Sequence, residues 1–258
     1  MRLIDAGQMN ETLISIIKAN SRKPDTVMGD MRAQLASLNL GAERYDETLT
    51  RFGEETIYRA VAELIERTRA GFRRLIKDIP DGAYDYEDVL DDDGFDSNPI
   101  PIRVKITIED EALTVDFTGT SKQVRGSLNC PYANSLSAVY AALKMFLDPR
   151  DEIPNNEGCY AAITVILPQG SLLNPNPPGS VSSRPETQAR ISNVIMGALG
   201  LALPERAVAQ DHGQVAIYRM SGIDPKSGKF FYKSEPLPSG WGRAAHLGWP
   251  RRCRFPRR

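Results

Sequence analysis

The hydrophobic pattern of the chain changes its period near the middle, and this change most strongly limits the fold. Over residues 54–77, apolar side chains recur every three or four positions, which predicts an amphipathic helix. Over 101–118, apolar and polar residues alternate around an acidic turn at 109–111, which predicts a β-hairpin. Helical periodicity returns at 135–147 and 190–203. Because helices and strands alternate irregularly, without repeated βαβ units, the sequence predicts an α+β fold of mixed helices and antiparallel strands.

The remaining segments predict further elements of the same two kinds. Proline, glycine and asparagine mark the breaks between them. The predicted elements are helices at 3–17 and 27–40 with a break at 21–24, a strand at 161–167, an ordered loop at 174–179, and strands at 214–220 and 229–235.

Composition and charge exclude several classes of protein. The 258 residues carry 32 Lys plus Arg and 33 Asp plus Glu, so a nucleic-acid-binding domain with its basic excess is not expected. No run of apolar residues approaches the ~18 that a membrane-spanning helix requires. The three cysteines, Cys130, Cys159 and Cys253, have no C-x-x-C spacing. We therefore expect a cytoplasmic protein with reduced thiols and neither a membrane nor a nucleic-acid partner.

The charge is concentrated unevenly along the chain. Residues 239–258 contain six Arg and no acidic residue, so residues 1–238 carry 26 basic and 33 acidic groups, a net charge of −7. The sequence predicts one domain over 1–238, followed by an Arg-rich tail that is disordered or out of frame.

Three local patterns resemble chemical motifs but lack an essential part. The segment 85–96 holds seven carboxylates, yet an EF-hand alignment on Gly94 places Val89 and Ile100 at ligand positions, so we expect a solvated acidic loop. The segment 119–123 lacks the second glycine of a nucleophile elbow. The segment 240–245 fits G-x-G-x-x-A, but Pro250 and its neighbours prevent the helix that must follow. No cofactor-binding or metal site is predicted from these patterns.

A series of short motifs, in a fixed order, carries more information than any one of them. They are Gly29-Asp30-Met31-Arg32-Ala33-Gln34, Phe52-Gly53, Pro80-Asp81-Gly82, Leu90-Asp91-Asp92-Asp93-Gly94, Val115-Asp116-Phe117-Thr118-Gly119-Thr120-Ser121, Gly126-Ser127-Leu128-Asn129, Asn155-Asn156-Glu157-Gly158, Pro168-Gln169-Gly170-Ser171-Leu172-Leu173-Asn174-Pro175 and Pro204-Glu205-Arg206-Ala207. From about residue 5 to about residue 238, the series resembles the hydantoinase B/5-oxoprolinase family, to which the large subunits of acetone carboxylase are related.

This resemblance implies a B-type component of an ATP-dependent enzyme. Such an enzyme hydrolyses the cyclic amide bond of a hydantoin or 5-oxoproline, or in related members carboxylates a ketone. It implies a hetero-oligomer in which an A-type subunit performs the ATP chemistry, with a small cyclic amide as substrate. The family's divalent metal is held by an Asp/His-rich segment upstream of the motif that here begins at Gly29, and no His lies among the 28 residues before it.

The departures from the family pattern lead to further expectations. We expect a partial domain of a larger B-type subunit, with the metal ligands missing and no cofactor bound by this chain. The sequence diverges after Ser239, as a reading-frame shift would produce.

The alternative function is therefore a catalytically inactive remnant that serves at most as an interaction module. We also expect the apolar faces of 54–77 and 101–118 to be left uncovered, so that the isolated chain aggregates.

Four polar residues in the family-like loops are the candidates for the site. They are Asp116, Asn129, Asn156 and Glu157. An Asn can orient or polarise a carbonyl, and an Asp or Glu can act as a general base toward water. The competing interpretation is structural, because Asn and Asp next to Gly commonly form turns.

Overall fold

The computed structural model of the protein describes residues 1–208 and 215–238. These residues belong to two units, 1–64 and 65 onward, and the boundary between the units lies within one helix.

The first unit begins with a small hairpin and a short helix. Strands β1 (Ile4–Asp5) and β2 (Gln8–Met9) pair in antiparallel fashion, and helix α1 spans Glu11–Ala19. The side chain of Asn10 accepts a hydrogen bond from the Leu13 amide at 3.0 Å and so caps α1. The predicted helix at 3–17 is therefore wrong over its first part, because a turn with positive φ at residues 6 and 7 reverses the chain before the cap.

Helix α2 (Pro24–Phe52) is longer than the sequence indicated. The predicted break at 21–24 is confirmed, and the helix predicted at 27–40 continues for twelve more residues. It ends at Gly53, whose φ of 79° is readily adopted by glycine. Helix α3 (Glu54–Lys77) follows directly, with the bounds that the apolar period predicts, and it begins with two acidic residues that suit the helix dipole.

A four-stranded sheet forms the centre of the second unit. Its strand order is β3-β4-β5-β6, and its strands are β3 (Gly82–Leu90), β4 (Ile100–Glu109), β5 (Ala112–Asp116) and β6 (Ile163–Ile166). The first three strands are antiparallel, and β6 lies parallel to β5. The predicted hairpin is therefore confirmed as β4–β5. The predicted α+β class with antiparallel strands is confirmed as well.

Strand β3 corrects the prediction of an acidic loop at 85–96. Residues up to Leu90 belong to the strand, and alternate residues are partly buried on one face. Asp85 and Glu87 face outward, whereas Asp88 on the inner face forms an ion pair with Arg190. The sequence pattern concealed the strand because an acidic residue occupies an inward position, and its charge is compensated by a helix that is distant in sequence.

Two helices complete the core of this unit. Helix α5 (Arg184–Ala202) packs on β3 and β4, and α4 (Tyr132–Leu147) packs on α5. The inner face of the β4–β5 hairpin is fully covered, with Ile106 and Val115 at 0% exposure. The predicted exposure of this hairpin is therefore wrong. In α3, Phe72 and Ile76 join the same core, whereas Val61 and Leu64 in the first unit remain about half exposed.

The last described elements form another hairpin. Strands β7 (Val215–Ile223) and β8 (Phe230–Pro238) are antiparallel, which confirms the strands predicted at 214–220 and 229–235. Among residues 1–208 and 215–238, no helix is long and apolar enough to cross a membrane.

The packing of the sheet predicts that alanine substitutions at two isoleucines lower the free energy of unfolding by very different amounts. Ile106 of β4 is completely buried, whereas Ile166 of β6 is 41% exposed. We expect Ile106→Ala to lower the free energy of unfolding by about 2–5 kcal/mol, through lost burial and the cavity it leaves. Ile166→Ala, the matched control, should cost less than about 1 kcal/mol. Urea denaturation measures the free energy of unfolding of both variants. Equal losses would contradict the assignment of Ile106 to the buried face of the sheet and of Ile166 to an exposed position.

Candidate functional site

A groove of about 570 Å³ lies between one face of α4 and the segment 155–160. Its walls are mainly aromatic and aliphatic, a composition typical of small-molecule sites. It is lined by Tyr132, Ala133, Leu136, Ser137, Tyr140, Ala141, Lys144, Met145, Asn155 and Tyr160.

Two stacked tyrosines form the aromatic wall. The rings of Tyr140 and Tyr160 lie nearly parallel, with centroids 4.0 Å apart. The Tyr160 hydroxyl donates to Asn155 Oδ1 at 2.6 Å. Burial raises the pKa of both phenols, so they remain neutral hydrogen-bonding groups at pH 7. The groove therefore combines a flat apolar wall with amide and hydroxyl groups at its edge.

The base of the groove is held by the ion pair of Lys144 and Asp148. Lys144 Nζ also donates to the Ile153 carbonyl at 2.7 Å, and the Asp148 carboxylate accepts from the amides of Glu152 and Ile153 at 3.0 and 2.9 Å. Burial disfavours the charged carboxylate, but the hydrogen bonds from Lys144 and the two amides outweigh it and lower the pKa of Asp148. This arrangement closes the loop that follows α4 and directs the chain into segment 155–160.

The predicted site residues Asn156 and Glu157 lie in that segment, between the lining residues Asn155 and Tyr160, but neither of them lines the groove. Asn156 Oδ1 accepts from the Gly158 amide at 2.8 Å and its Nδ2 donates to Thr68 Oγ1 at 2.9 Å, so this side chain joins the segment to α3. Glu157 is exposed, and no described group hydrogen-bonds its carboxylate. The loop therefore carries one exposed carboxylate, two residues after the lining residue Asn155.

Gly158 brings the same segment against the backbone of α3. A Cβ at this position would lie 2.3 Å from the Ile65 carbonyl oxygen and 2.9 Å from the Arg69 amide nitrogen. Only glycine permits this approach, because neither backbone atom can move away without disturbing the helix.

Asn129 occupies a different place, in a cluster of loops at one end of the sheet. It is fully buried, and its Oδ1 accepts from the Val124 amide at 2.8 Å. Its Nδ2 lies 2.8, 3.1 and 2.9 Å from the carbonyl oxygens of Val124, Gly126 and Ser180. This amide holds loop 124–129 to the segment before α5, and all of its polar atoms are engaged.

Asp116 ends β5 and begins the same cluster. Its carboxylate accepts from the Thr118 amide at 2.8 Å, as in a tight turn. The segment after it is hydrogen-bonded to residues 168–176. The Gln123 side-chain oxygen accepts from the Asn176 amide at 2.7 Å, and the Leu172 carbonyl accepts from the Cys130 amide at 2.8 Å. The family-like motifs around 115–130 and 168–176 therefore meet in space, although they are distant in sequence.

The structure thus divides the four predicted residues between two places. Asn156 and Glu157 lie in segment 155–160 without lining the groove, and Asp116 and Asn129 belong to the loop cluster. The sequence does not identify Tyr160 or Asn155 as groove residues, and its periodicity places Tyr140 in an apolar helical stripe. The signal that could have found them is the recurrence of Tyr132 and Tyr140 on α4 eight residues apart, close to one helical face.

The described residues do not form a metal centre. Among residues 1–208 and 215–238, no three His, Cys, Asp or Glu side chains are grouped so that they could hold a metal ion. In the acidic segment, Asp93 instead accepts hydrogen bonds from the amides of Asp96, Gly126 and Phe95, which lower the pKa of its carboxyl. The segment 240–245 and the tail 239–258 lie outside the described residues.

The α+β core matches a known protein family. Residues 1–250 match the hydantoinase B/oxoprolinase family, and the chain belongs to this family. The predicted family assignment is therefore confirmed.

Individual relatives support the same assignment. The chain is 32% identical to the B subunit of a putative D-/L-hydantoinase from a Pseudomonas species, over 86% of its own length and 39% of the relative's. It is 29% identical to the beta subunit of the caprolactamase from Pseudomonas jessenii, over 97% of its own length and 43% of the relative's. The chain therefore spans less than half the length of these relatives.

Solved structures match the described fold. The crystal structure of the ATP-dependent caprolactamase from Pseudomonas jessenii superimposes with a TM-score of 0.82 at 28% identity, over 90% of this chain and 40% of that one. The nucleotide-free acetone carboxylase superimposes with a TM-score of 0.80 at 16% identity, over 91% of this chain and 33% of that one, which shows a shared fold.

The Lys144–Asp148 pair generates a prediction about pH. A carboxyl whose pKa is lowered by folding contributes stability above its unfolded pKa of about 3.9, and this contribution is lost as the pH falls through the lower folded value. We expect Asp148→Asn to cost about 1.5–3 kcal/mol at pH 7, because it removes a charge-assisted hydrogen bond from the buried Lys144, which keeps its second ion pair with Asp151 at 3.0 Å. The difference between variant and wild type should shrink below about pH 4.

Chemical denaturation between about pH 3 and pH 7 measures this difference. Asp91→Asn, at an exposed aspartate of the 91–96 loop, is the control and should change stability by less than about 0.5 kcal/mol. A penalty for Asp148→Asn that does not depend on pH would contradict the assigned charge state.

Proposed function

We propose that this chain acts as a B-type component of an ATP-dependent enzyme that hydrolyses the amide bond of a small ring. Membership of the hydantoinase B/oxoprolinase family across residues 1–250 is the observation that carries this proposal. The hydantoinase and caprolactamase relatives are named for substrates that share one chemical feature, a ring closed by an amide. Cyclic amides are therefore the proposed substrate class.

The proposed active assembly is a hetero-oligomer with an A-type subunit. Both relatives are named as subunits, one of the B type and one of the beta type, which supports a division of labour between chains. In this assembly the A-type partner performs the ATP chemistry, and this chain receives the activated substrate. The family's divalent metal does not fit the residues described here, so no step of the proposal passes through it.

The groove beside α4 is the proposed position of the substrate ring. The stacked Tyr140 and Tyr160 both line the groove and offer aromatic surface to the apolar carbons of such a ring. The Asn155 amide at the rim provides a donor for the substrate carbonyl. The ring would therefore lie with its apolar carbons on the tyrosines and its amide near segment 155–160.

Glu157 is the proposed general base. It is the predicted site residue that lies between the lining residues Asn155 and Tyr160 and whose exposed carboxylate has no described hydrogen-bond partner, so it is available to water. In the proposed step, Glu157 takes a proton from water as the water oxygen bonds to the amide carbon. The carbon–nitrogen bond then breaks, and the nitrogen takes the proton that Glu157 holds. The phosphoryl group by which ATP activated the amide oxygen stays on the new carboxyl group, and a second water releases it as inorganic phosphate.

A reconstituted assay tests this proposal. The purified chain is combined with its A-type subunit, ATP and a series of cyclic amides, namely hydantoin, 5-oxoproline and caprolactam. We expect ATP-dependent formation of the ring-opened product. Absence of product beside activity from a full-length relative would instead support an inactive remnant that serves as an interaction module.

Substitution of the proposed base gives the sharper test. We expect Glu157→Gln to lower kcat by about 10²–10⁴-fold with little change in KM, because the proton acceptor is lost while the groove is kept. Glu152→Gln, at another exposed glutamate of the same loop region, should leave kcat within about twofold. Equal effects of the two substitutions would contradict the role of Glu157.

A further inference from the structure

Helix α2 carries a continuous seam of apolar residues at coiled-coil spacing. From residue 28 to residue 52, the intervals between successive members alternate between three and four residues, which is the spacing of heptad a and d positions. The seam consists of Met28, Met31, Leu35, Leu38, Ala42, Tyr45, Leu49 and Phe52. At 1.5 Å per residue, this seam is about 36 Å long.

Half of this seam is exposed, and of the other four residues only Met28 is fully buried. Met28 is the buried residue of α2. Leu38 is 69% exposed, and Tyr45 and Phe52 are about half exposed. A regular apolar seam on a 29-residue helix is typical of a surface that another helix covers.

We propose that α2 pairs with α2 of a second copy of this chain as an antiparallel two-helix coiled coil. The choice of a second copy follows from the register. Met28 is covered by its own chain, so the pairing begins at Met31, and when Met31 of one copy lies opposite Leu49 of the other, the a and d positions between them also meet in pairs. These pairs are Met31 with Leu49, Leu35 with Tyr45, and Leu38 with Ala42, and each occurs twice about the two-fold axis.

The charges beside the seam complement one another in this same register. The e positions hold Arg32, Asn39 and Asp46, and antiparallel helices bring e positions together. Arg32 of each copy then lies opposite Asp46 of the other, and Asn39 lies opposite Asn39. Both charged side chains are exposed, and neither forms an ion pair with another described residue. The second copy supplies the partner for each of them.

Other arrangements of two copies lack this match. A shift of one heptad places Arg32 or Asp46 opposite the neutral Asn39 and leaves seam residues unpaired at both ends. A parallel pair places Gln34 opposite Asn39 and Gly41 opposite Asp46, without any opposite charges. It also stacks like residues of the seam on one another, tyrosine on tyrosine and alanine on alanine, which fills the core unevenly.

Two exposed leucines of α2 test the seam. Leu38 lies in the seam, whereas Leu40 lies on the opposite face and is 50% exposed. Sedimentation equilibrium of the full chain should give a dimer that dissociates on dilution. We expect Leu38→Glu to raise the dimer dissociation constant at least about 100-fold, because it places a charge in the apolar seam. Leu40→Glu should leave it within about threefold.

Charge reversal tests the antiparallel register. Arg32→Asp and Asp46→Arg should each raise the dissociation constant about tenfold or more, because two attractions become repulsions. An equimolar mixture of the two variants should recover the wild-type value. In the mixed dimer the introduced aspartate faces the introduced arginine, and the native Arg32 of one copy faces the native Asp46 of the other.

Several outcomes would overturn this proposal. A chain that is monomeric at concentrations up to about 100 μM would do so, as would a dimer that Leu38→Glu does not weaken. Failure of the mixed variants to recover would exclude the antiparallel register. Protection of the α2 seam by the A-type partner in place of a second copy would assign the seam to that partner. Circular dichroism of each variant establishes that its helices are intact.

Discussion

The shape of the groove depends on residues 148–160, which are held in place at two points. At one end, Lys144 and Asp148 close the loop after α4, with the Asp148 carboxylate bound to two backbone amides. At the other end, Gly158 lies against the backbone of α3, and the Asn156 amide bonds Thr68 of the same helix. Between these points the chain has little freedom, so the groove side chains of segment 155–160 keep their places beside α4.

The rest of the second unit supports this arrangement through its core. Helix α5 covers the inner face of β3 and β4, and α4 packs on α5. The buried face of α4 is thereby fixed, which leaves Tyr132, Tyr140 and Met145 on the groove side. The loop cluster around Asn129 has a separate role, because its engaged amide joins segments on either side of α4. The proposed chemistry therefore lies in the groove and not in the cluster, although the sequence motifs alone did not distinguish the two.

Sequence periodicity predicted those helices and strands that bury one apolar face and expose the other. Helix α3 and the β4–β5 hairpin are examples, because their apolar residues recur at the period of the element. Strand β3 could not be found in this way, because the charged Asp88 occupies one of its inward positions. The charge of Asp88 is compensated by an ion pair with Arg190, which lies 102 residues further along the chain. The groove was equally hidden, because Tyr140 and Tyr160 meet only after the chain has turned at Asp148. Patterns within a short stretch of sequence cannot reveal contacts between side chains that are distant along the chain.

The central claim is that the groove beside α4 holds the substrate ring, and a titration observed by NMR tests it most directly. The tyrosines are ring-labelled, and the chain in complex with its A-type partner is titrated with a cyclic amide. We predict that the ring signals of Tyr140 and Tyr160 shift saturably, while those of Tyr218 and Tyr232 on β7 and β8 remain unchanged. Unchanged signals from Tyr140 and Tyr160 at saturating substrate would contradict the account.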